Sequence, residues 1–459
     1  MDYSAANLAL WNPIFNIGLI AAVVLAANIL RRKIPFIRNS MIPTAVLGGF
    51  LLLGLKLTGL LELNIELMEM LTYHCIAIGF IALTLRVPEE TDKSKGDMVG
   101  FKSGAVIVST YVIQGFIGLL ITLGLFFTVM PDMFPGAGAL LPMGYGQGPG
   151  QANNIGSSYE ALGFAGGRSF GLALAAAGYI CACVIGVIYI NYLVRKGKLI
   201  RTDHEEINGS VAIDTFQSKG EIPIAESLDR LSVQAALVLL VYLITYLATW
   251  GLTSAFSALS PGVAATVNPL LWGFNFIIGS ALAMLMRSVL KGLRHVRLMN
   301  HQYQNNYLLS RISGLAFDVM IVAGLASIEP EVLTGLWLPF LLLAVAGAII
   351  TLLHLKIVCR RVYGDYYYEG LVSMYGMLTG TISSGVLLLR EIDPQLKTPA
   401  ANNLVIGSSF AILLGIPMLL LIGLIPKSVT MALISVGALA VYYLFLMGII
   451  FLKKKKKKA

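Results

Sequence analysis

Apolar stretches of roughly 18–25 residues, each enough to cross a bilayer core of about 30 Å, recur from one end of this chain to the other. Backbone polar groups in hydrocarbon must be satisfied within the segment, so each stretch is read as a helix. Eleven spans lie near 11–30, 41–59, 68–86, 103–130, 168–194, 231–256, 268–290, 308–328, 332–358, 400–425 and 429–452. The fold class is therefore an all-α polytopic membrane protein. Only 12% of the 459 residues are charged, where soluble domains carry about 25%. This excludes a soluble multidomain enzyme, a nucleic-acid binder and a disordered scaffold. The net charge of +9 does not alter that, because six lysines form one tail, Lys453 to Lys458, and most other basic residues flank spans. That tail is read as an anchor against anionic lipid.

Basic residues favour the cytoplasmic side, which fixes an orientation. With the amino terminus outside, 30 of the 33 Lys and Arg fall on inner segments. Lys56, Arg168 and Lys427 are the remainder. The carboxyl terminus is then cytoplasmic. Arg31 and Arg32 follow the first span rather than precede it, so no cleavable signal peptide is predicted. The cysteines Cys75, Cys181, Cys183 and Cys359 show no zinc or disulfide spacing.

Two stretches break the pattern, 136–167 and 362–397. The first contains Tyr145-Gly146-Gln147-Gly148-Pro149-Gly150 and the second Tyr375-Gly376-Met377-Leu378-Thr379-Gly380. Both read Tyr-Gly-x-x-x-Gly, and each lies between the fourth and fifth span of its half. The charge count requires both to enter and leave on one side, the first from outside and the second from the cytoplasm. The chain is thus predicted to hold two inverted five-helix repeats, each with a re-entrant hairpin, plus an extra C-terminal transmembrane helix. The boundaries are 1–194 for the first repeat, 195–229 for a cytoplasmic linker, 230–425 for the second repeat and 426–459 for the extra helix and lysine tail. Opposed repeats with broken helices are the design of many secondary transporters.

Broken backbone at membrane depth is tolerated where protein or a polar cavity satisfies it. Gly144, Gly146, Gly148 and Gly150 allow positive φ or close approach, and Pro149 prevents one helix from running through. Short polar side chains follow each break: Asn153, Asn154, Ser157 and Ser158, then Thr379, Thr381, Ser383 and Ser384. They suit an ion or a carboxylate, and half-helix N-termini add positive dipole ends. The candidate substrate site comprises Tyr145, Gly146, Gln147, Gly148, Gly150, Gln151, Asn153, Asn154 and Ser157 with Tyr375, Gly376, Thr379, Gly380, Thr381, Ser383 and Ser384. The alternative is that Gly and Ser only let helices pack closely, but GYGQGPGQANN is too broken for a packed helix.

The five-plus-five plan, the two hairpins and the central linker resemble the bacterial sodium/glutamate symporters. Local sequence adds IPTAVLGGF at 42–50, IAIGFIALTLR at 76–86, SGLAFDVMIVAGL at 313–325 and, most specifically, LPMGYGQGPGQA at 141–152. The resemblance spans about 1–425 and implies sodium-coupled uptake of glutamate by an elevator mechanism. It further implies a homodimer in the bacterial inner membrane and sodium as the co-transported ion. Three features depart from the family. MYGMLTGTISSG is poor in glycine, Asp318 places a charge in the eighth span, and the eleventh span extends beyond ten.

An ionisable group near mid-bilayer costs on the order of 2.5–3.5 kcal/mol and is a functional candidate by default. Asp318 is the clearest case, and with Asn153 and Ser384 it forms the candidate sodium site. The structural alternative is an ion pair with Arg311, two turns earlier. Glu160, Arg168, Glu369 and Arg390 flank the hairpins, as access-path residues or solvated loop ends. His74 and His354 are read as packed or hydrogen-bonded. No Walker motif or HExxH occurs and the histidines are scattered, so ATP drive and enzyme chemistry are not expected. A channel would repeat its pore segment in parallel, against the opposed halves. The substrate is read as glutamate or, alternatively, citrate or a dicarboxylate with sodium or proton coupling.

Overall fold

The computed structural model describes residues 2–452 apart from 5, 36, 38–41, 88–92, 200–229, 260–263, 265–266, 269–270, 274, 300 and 394–397. The linker beyond Leu199 and the lysine tail lie outside the described residues. Among those described there is no strand. The first half holds α1 (Leu8–Lys33), α2 (Thr44–Leu57), α3 (Ile65–Leu85), α4 (Lys93–Thr128), a broken hairpin ending in α5 (Pro149–Glu160), and α6 (Gly167–Arg195). The second half holds α7 (Arg230–Leu259), α8 (Asn275–His295), α9 (Asn306–Ala326), α10 (Trp337–Val362), a hairpin of α11 (Tyr367–Thr379) and α12 (Ile382–Arg390), and α13 (Ala400–Leu424). The last helix is α14 (Val429–Phe451). The order of four helices, broken hairpin, helix thus occurs twice.

Ten of the described helices are long and apolar enough to cross a membrane. The exception is the expected span 41–59. There the helix is the 14 residues of α2, which at 1.5 Å per residue gives about 21 Å, short of a hydrocarbon core. Its start is fixed by Pro43, which has no N–H to extend the ladder backwards. Elsewhere the ends follow capping chemistry. Asn7 Oδ1 accepts the Leu10 N–H at the start of α1, and Ser428 Oγ accepts the Met431 N–H at the start of α14.

The chain divides into two compact units, and each draws on both halves of the sequence. The first contains 1–64, 92–204 and 324–459, hence both hairpins. In it α4 is the central post, packed by α10, α13, α14 and the first hairpin. Close contact depends on missing side chains: a Cβ on Gly407 of α13 would stand 2.8 Å from Ser103 Cβ of α4. His354 of α10 ties two further helices, with Nε2 3.0 Å from Ser109 Oγ and Nδ1 3.1 Å from Tyr443 OH of α14. The eleventh span is therefore tied into this unit by a part-buried hydrogen bond.

The second unit contains 65–91 and 205–323. Ile81, Ala82 and Leu85 of α3 meet Val238 and Val241 of α7, Ala283 of α8 and Leu309 of α9 in its core. Polar groups close the helix ends. Arg287 donates to the carbonyls of Thr84, in the last turn of α3, and of Arg86, just past its end. Asn306 pairs through both amide atoms with the Val87 backbone at 2.7 Å. His74 shares a hydrogen bond with Tyr242 OH, as expected for a packed histidine.

Candidate functional site

Three prolines, seven residues apart, divide the first hairpin. Pro135 opens a 3-10 turn to Ala139, Pro142 opens a π turn to Gly146, and Pro149 opens α5. Proline suits a first helical position because its missing N–H would have no partner there. Between the last two elements the chain turns at Gly148, with φ +86° and ψ −174°. That region is essentially restricted to glycine. Gly144, Gly146 and Gly150 do not take positive φ. Gly144 and Gly146 serve close packing instead: a Cβ on Gly144 would stand 2.8 Å from Ala175 N, and one on Gly146 would run into the Tyr111 ring.

The second hairpin is more regular. Its first arm, α11, continues to Thr379, the chain breaks at Gly380 and Thr381, and α12 begins at Ile382. The break therefore falls at the last glycine of the Tyr-Gly-x-x-x-Gly motif, whereas in the first hairpin it falls three residues after the tyrosine. Gly376 lies within the helix, and a Cβ there would stand 2.9 Å from Gly385 Cα on the opposite arm. It lets the two arms close.

The two breaks meet. A Cβ on Gly148 would lie 3.4 Å from Thr381 Cγ2, 3.6 Å from Gly380 O and 3.8 Å from Tyr179 OH. Two half-helices thus begin at one place, α5 after Gly148 and α12 after Thr381. Neither has a side-chain cap on its first N–H groups. Such unsatisfied N–H groups and the positive dipole end favour an anion.

Side chains around the junction reinforce that character. Gln151, third residue of α5, is 1% exposed and neither of its amide atoms has a partner among the described residues. Ser384, third residue of α12, is 2% exposed and its Oγ also has none. Thr381 Oγ1, Tyr375 OH, Asn153 Oδ1 and Gln114 Oε1 are buried in the same way. Unsatisfied buried polar atoms cost about 1–3 kcal/mol each, and those of Gln151, Thr381 and Ser384 lie at the two breaks or in the first turns after them, where they can hydrogen-bond a polar ligand. These six side chains are all uncharged.

Other candidate residues have structural partners. Tyr145 OH donates to Ala344 O at 2.7 Å, and Thr379 Oγ1 donates to Tyr375 O at 2.8 Å within its own helix. Gln147 donates its N–H to Pro142 O and closes the π turn. Asn154 is buried on α5 and its carbonyl accepts from Ser158 Oγ. Ser157 is half-buried near the end of α5. Ser383 lies on α12, and its side chain is outside the described residues. Arg168 forms an ion pair with Glu329 at 3.1 Å, and Glu160 accepts the Arg168 N–H at the start of α6.

Asp318 belongs to the second compact unit, Asn153 and Ser384 to the first. Its side chain is exposed. Arg311 is not its partner: the guanidinium lies 4.9 Å from the centroid of the Tyr307 ring, one turn earlier. Among the described residues no three of His, Cys, Asp and Glu gather as a metal site.

The sequence reading missed Gln114 of α4. Its Nε2 donates to Leu378 O at 3.0 Å and to Thr351 Oγ1 at 2.8 Å, so it ties α10 and the second hairpin to α4. An amide alone in VIQGF was the available signal. It also missed Tyr179 of α6, beside both breaks. The chain matches no protein-family model and no curated protein.

Proposed function

We propose that this protein is a secondary active transporter rather than an enzyme, and that it couples inward sodium movement to uptake of glutamate or a similar acidic amino acid. The observation that carries the reading is the junction of two uncapped half-helices at Gly148 and Thr381, ringed by buried polar atoms without partners. Carboxylate oxygens would accept from the first N–H groups of α5 and α12 and from Gln151, Thr381 and Ser384. Sodium, a hard cation, takes oxygen ligands, and Asn153 and Ser384 offer them on the two hairpins. Both hairpins belong to one compact unit, which supports an elevator movement carrying the whole site across the bilayer. The resemblance to sodium/glutamate symporters supports the same reading and adds a homodimer in a bacterial inner membrane, amino terminus outside.

A second reading is favoured by one observation. None of the six side chains with a buried unpartnered atom is acidic, and an ammonium group wants a carboxylate. Citrate or a dicarboxylate, driven by sodium or protons, needs no such partner. Thermal stability in detergent separates the two, since a ligand that binds only the folded state raises it. Glutamate stabilising in sodium but not in potassium is the expected result. Stabilisation by citrate or a dicarboxylate, with none by glutamate, selects the second reading, and no response to any carboxylate overturns both.

A further inference from the structure

At the basic ends of α6 and α10 the first unit holds a groove of about 450 Å³. It is lined by Lys198, Lys356 and Arg360 and by four tyrosines of α6 and α11. It is separate from the hairpin junction. Lys356 Nζ sits 4.9 Å from the centroid of the Tyr189 ring, a cation–π contact that holds the ammonium at the groove wall. Among the described residues none of the three cations has an ion-pair partner. Three cations around one concavity favour a compact anion, and the tyrosine hydroxyls add donors.

The groove continues into apolar surface. Val184, Ile188 and Tyr192 of α6 are each at least 52% exposed, and Ile349, Leu353 and Ile357 of α10 at least 50%. Spaced by four, each set forms one helix face. Both faces run toward the groove. Tyr189 lies six residues before the end of α6, about 9 Å along the axis, which is headgroup depth for a helix that ends at the membrane surface. Tyrosine and basic residues together mark that interface.

We propose that this groove binds the headgroup of an anionic phospholipid, with the phosphate among Lys198, Lys356 and Arg360 and the acyl chains along the exposed faces of α6 and α10. A soluble phosphate would use the cations but not the apolar faces. The test uses the full chain in a zwitterionic detergent with three probes: phosphatidylglycerol, phosphatidylcholine and sodium phosphate. Phosphatidylglycerol should raise the melting temperature and remain bound in native mass spectrometry, with the other two having little effect. Lys356→Gln with Arg360→Gln should weaken that response at least tenfold, while Lys291→Gln with Arg297→Gln, the same charge loss outside the groove, should not. If the first pair fails to insert, Lys198→Gln on the turn after α6 should still weaken it. An equal response to phosphatidylcholine, an unchanged response in the groove variants, or sodium phosphate matching the lipid would each overturn the assignment.

Discussion

Gly148 stands so close to Thr381 that a β-carbon built on the glycine would lie 3.4 Å from the threonine methyl, although the two residues are 233 positions apart in the chain. Two hairpin breaks therefore form a single junction. Glycine at 148 is required by its φ of +86°; a β-carbon there would itself meet Thr381 only at ordinary van der Waals distance.

Gly148→Ala is expected to disturb this junction without unfolding the protein. Strain in this glycine-only backbone region costs about 1–3 kcal/mol, which a helical unit of this size survives. Uptake should fall more than tenfold while the protein still inserts and melts cooperatively. Uptake equal to wild type would show that the junction is not where substrate binds.

Gln151 and Ser384 are expected to behave unlike Gln114. The first two leave polar atoms unsatisfied in the protein itself, so Gln151→Leu and Ser384→Ala should leave the melting temperature unchanged or higher. Each should weaken ligand binding at least tenfold, as befits a hydrogen bond to a charged group at about 1.5–3 kcal/mol. Gln114→Leu breaks two hydrogen bonds across helices and strands a buried carbonyl, so stability should drop by about 1–3 kcal/mol. Melting curves of the three variants, with binding measured alongside, check both halves.

Asp318→Asn should leave stability nearly unchanged, because Arg311 rests on Tyr307 and not on this carboxylate. Adding Arg311→Gln should rescue nothing. If Asp318 contributes to sodium binding, the apparent sodium affinity of uptake falls at least tenfold, a loss of about 1.4 kcal/mol. Unchanged sodium dependence removes it from the coupling site.

Orientation is open to direct labelling. In a cysteine-free background Asp132→Cys should react with an impermeant thiol reagent from outside intact cells. Lys196→Cys should react only after the membrane is opened. Both positions are exposed. Labelling of both from one side would break the inverted-repeat reading.

Long apolar runs made the helices legible, since a bilayer leaves no other choice. The hairpins were legible because Pro149 and four glycines within Gly144 to Gly150 cannot form a continuous helix. Finer features depend on neighbours that a linear reading does not supply. The span at 41–59 is apolar apart from Thr44, Lys56 and Thr58, yet its helix covers only Thr44–Leu57. The shared Tyr-Gly-x-x-x-Gly motif suggests equivalent breaks, but the chain turns at Gly148 in one and at Gly380 in the other, because a π turn shortens the first arm. Arg311 has an aromatic ring one turn away in Tyr307, a nearer partner than Asp318 two turns away. Gln114 is marked locally only as a lone amide in VIQGF and gains its role from Leu378 and Thr351, which lie more than 200 residues further along.

The most direct measurement is accumulation of labelled glutamate in proteoliposomes under an inward sodium gradient, with wild type beside the Gln151→Leu, Ser384→Ala double variant. Wild type is expected to accumulate glutamate above equilibrium only in sodium, and the double variant at least tenfold less at low substrate. Full accumulation in potassium without a proton gradient, or a double variant equal to wild type, would contradict a sodium-coupled site at the junction of the two hairpins.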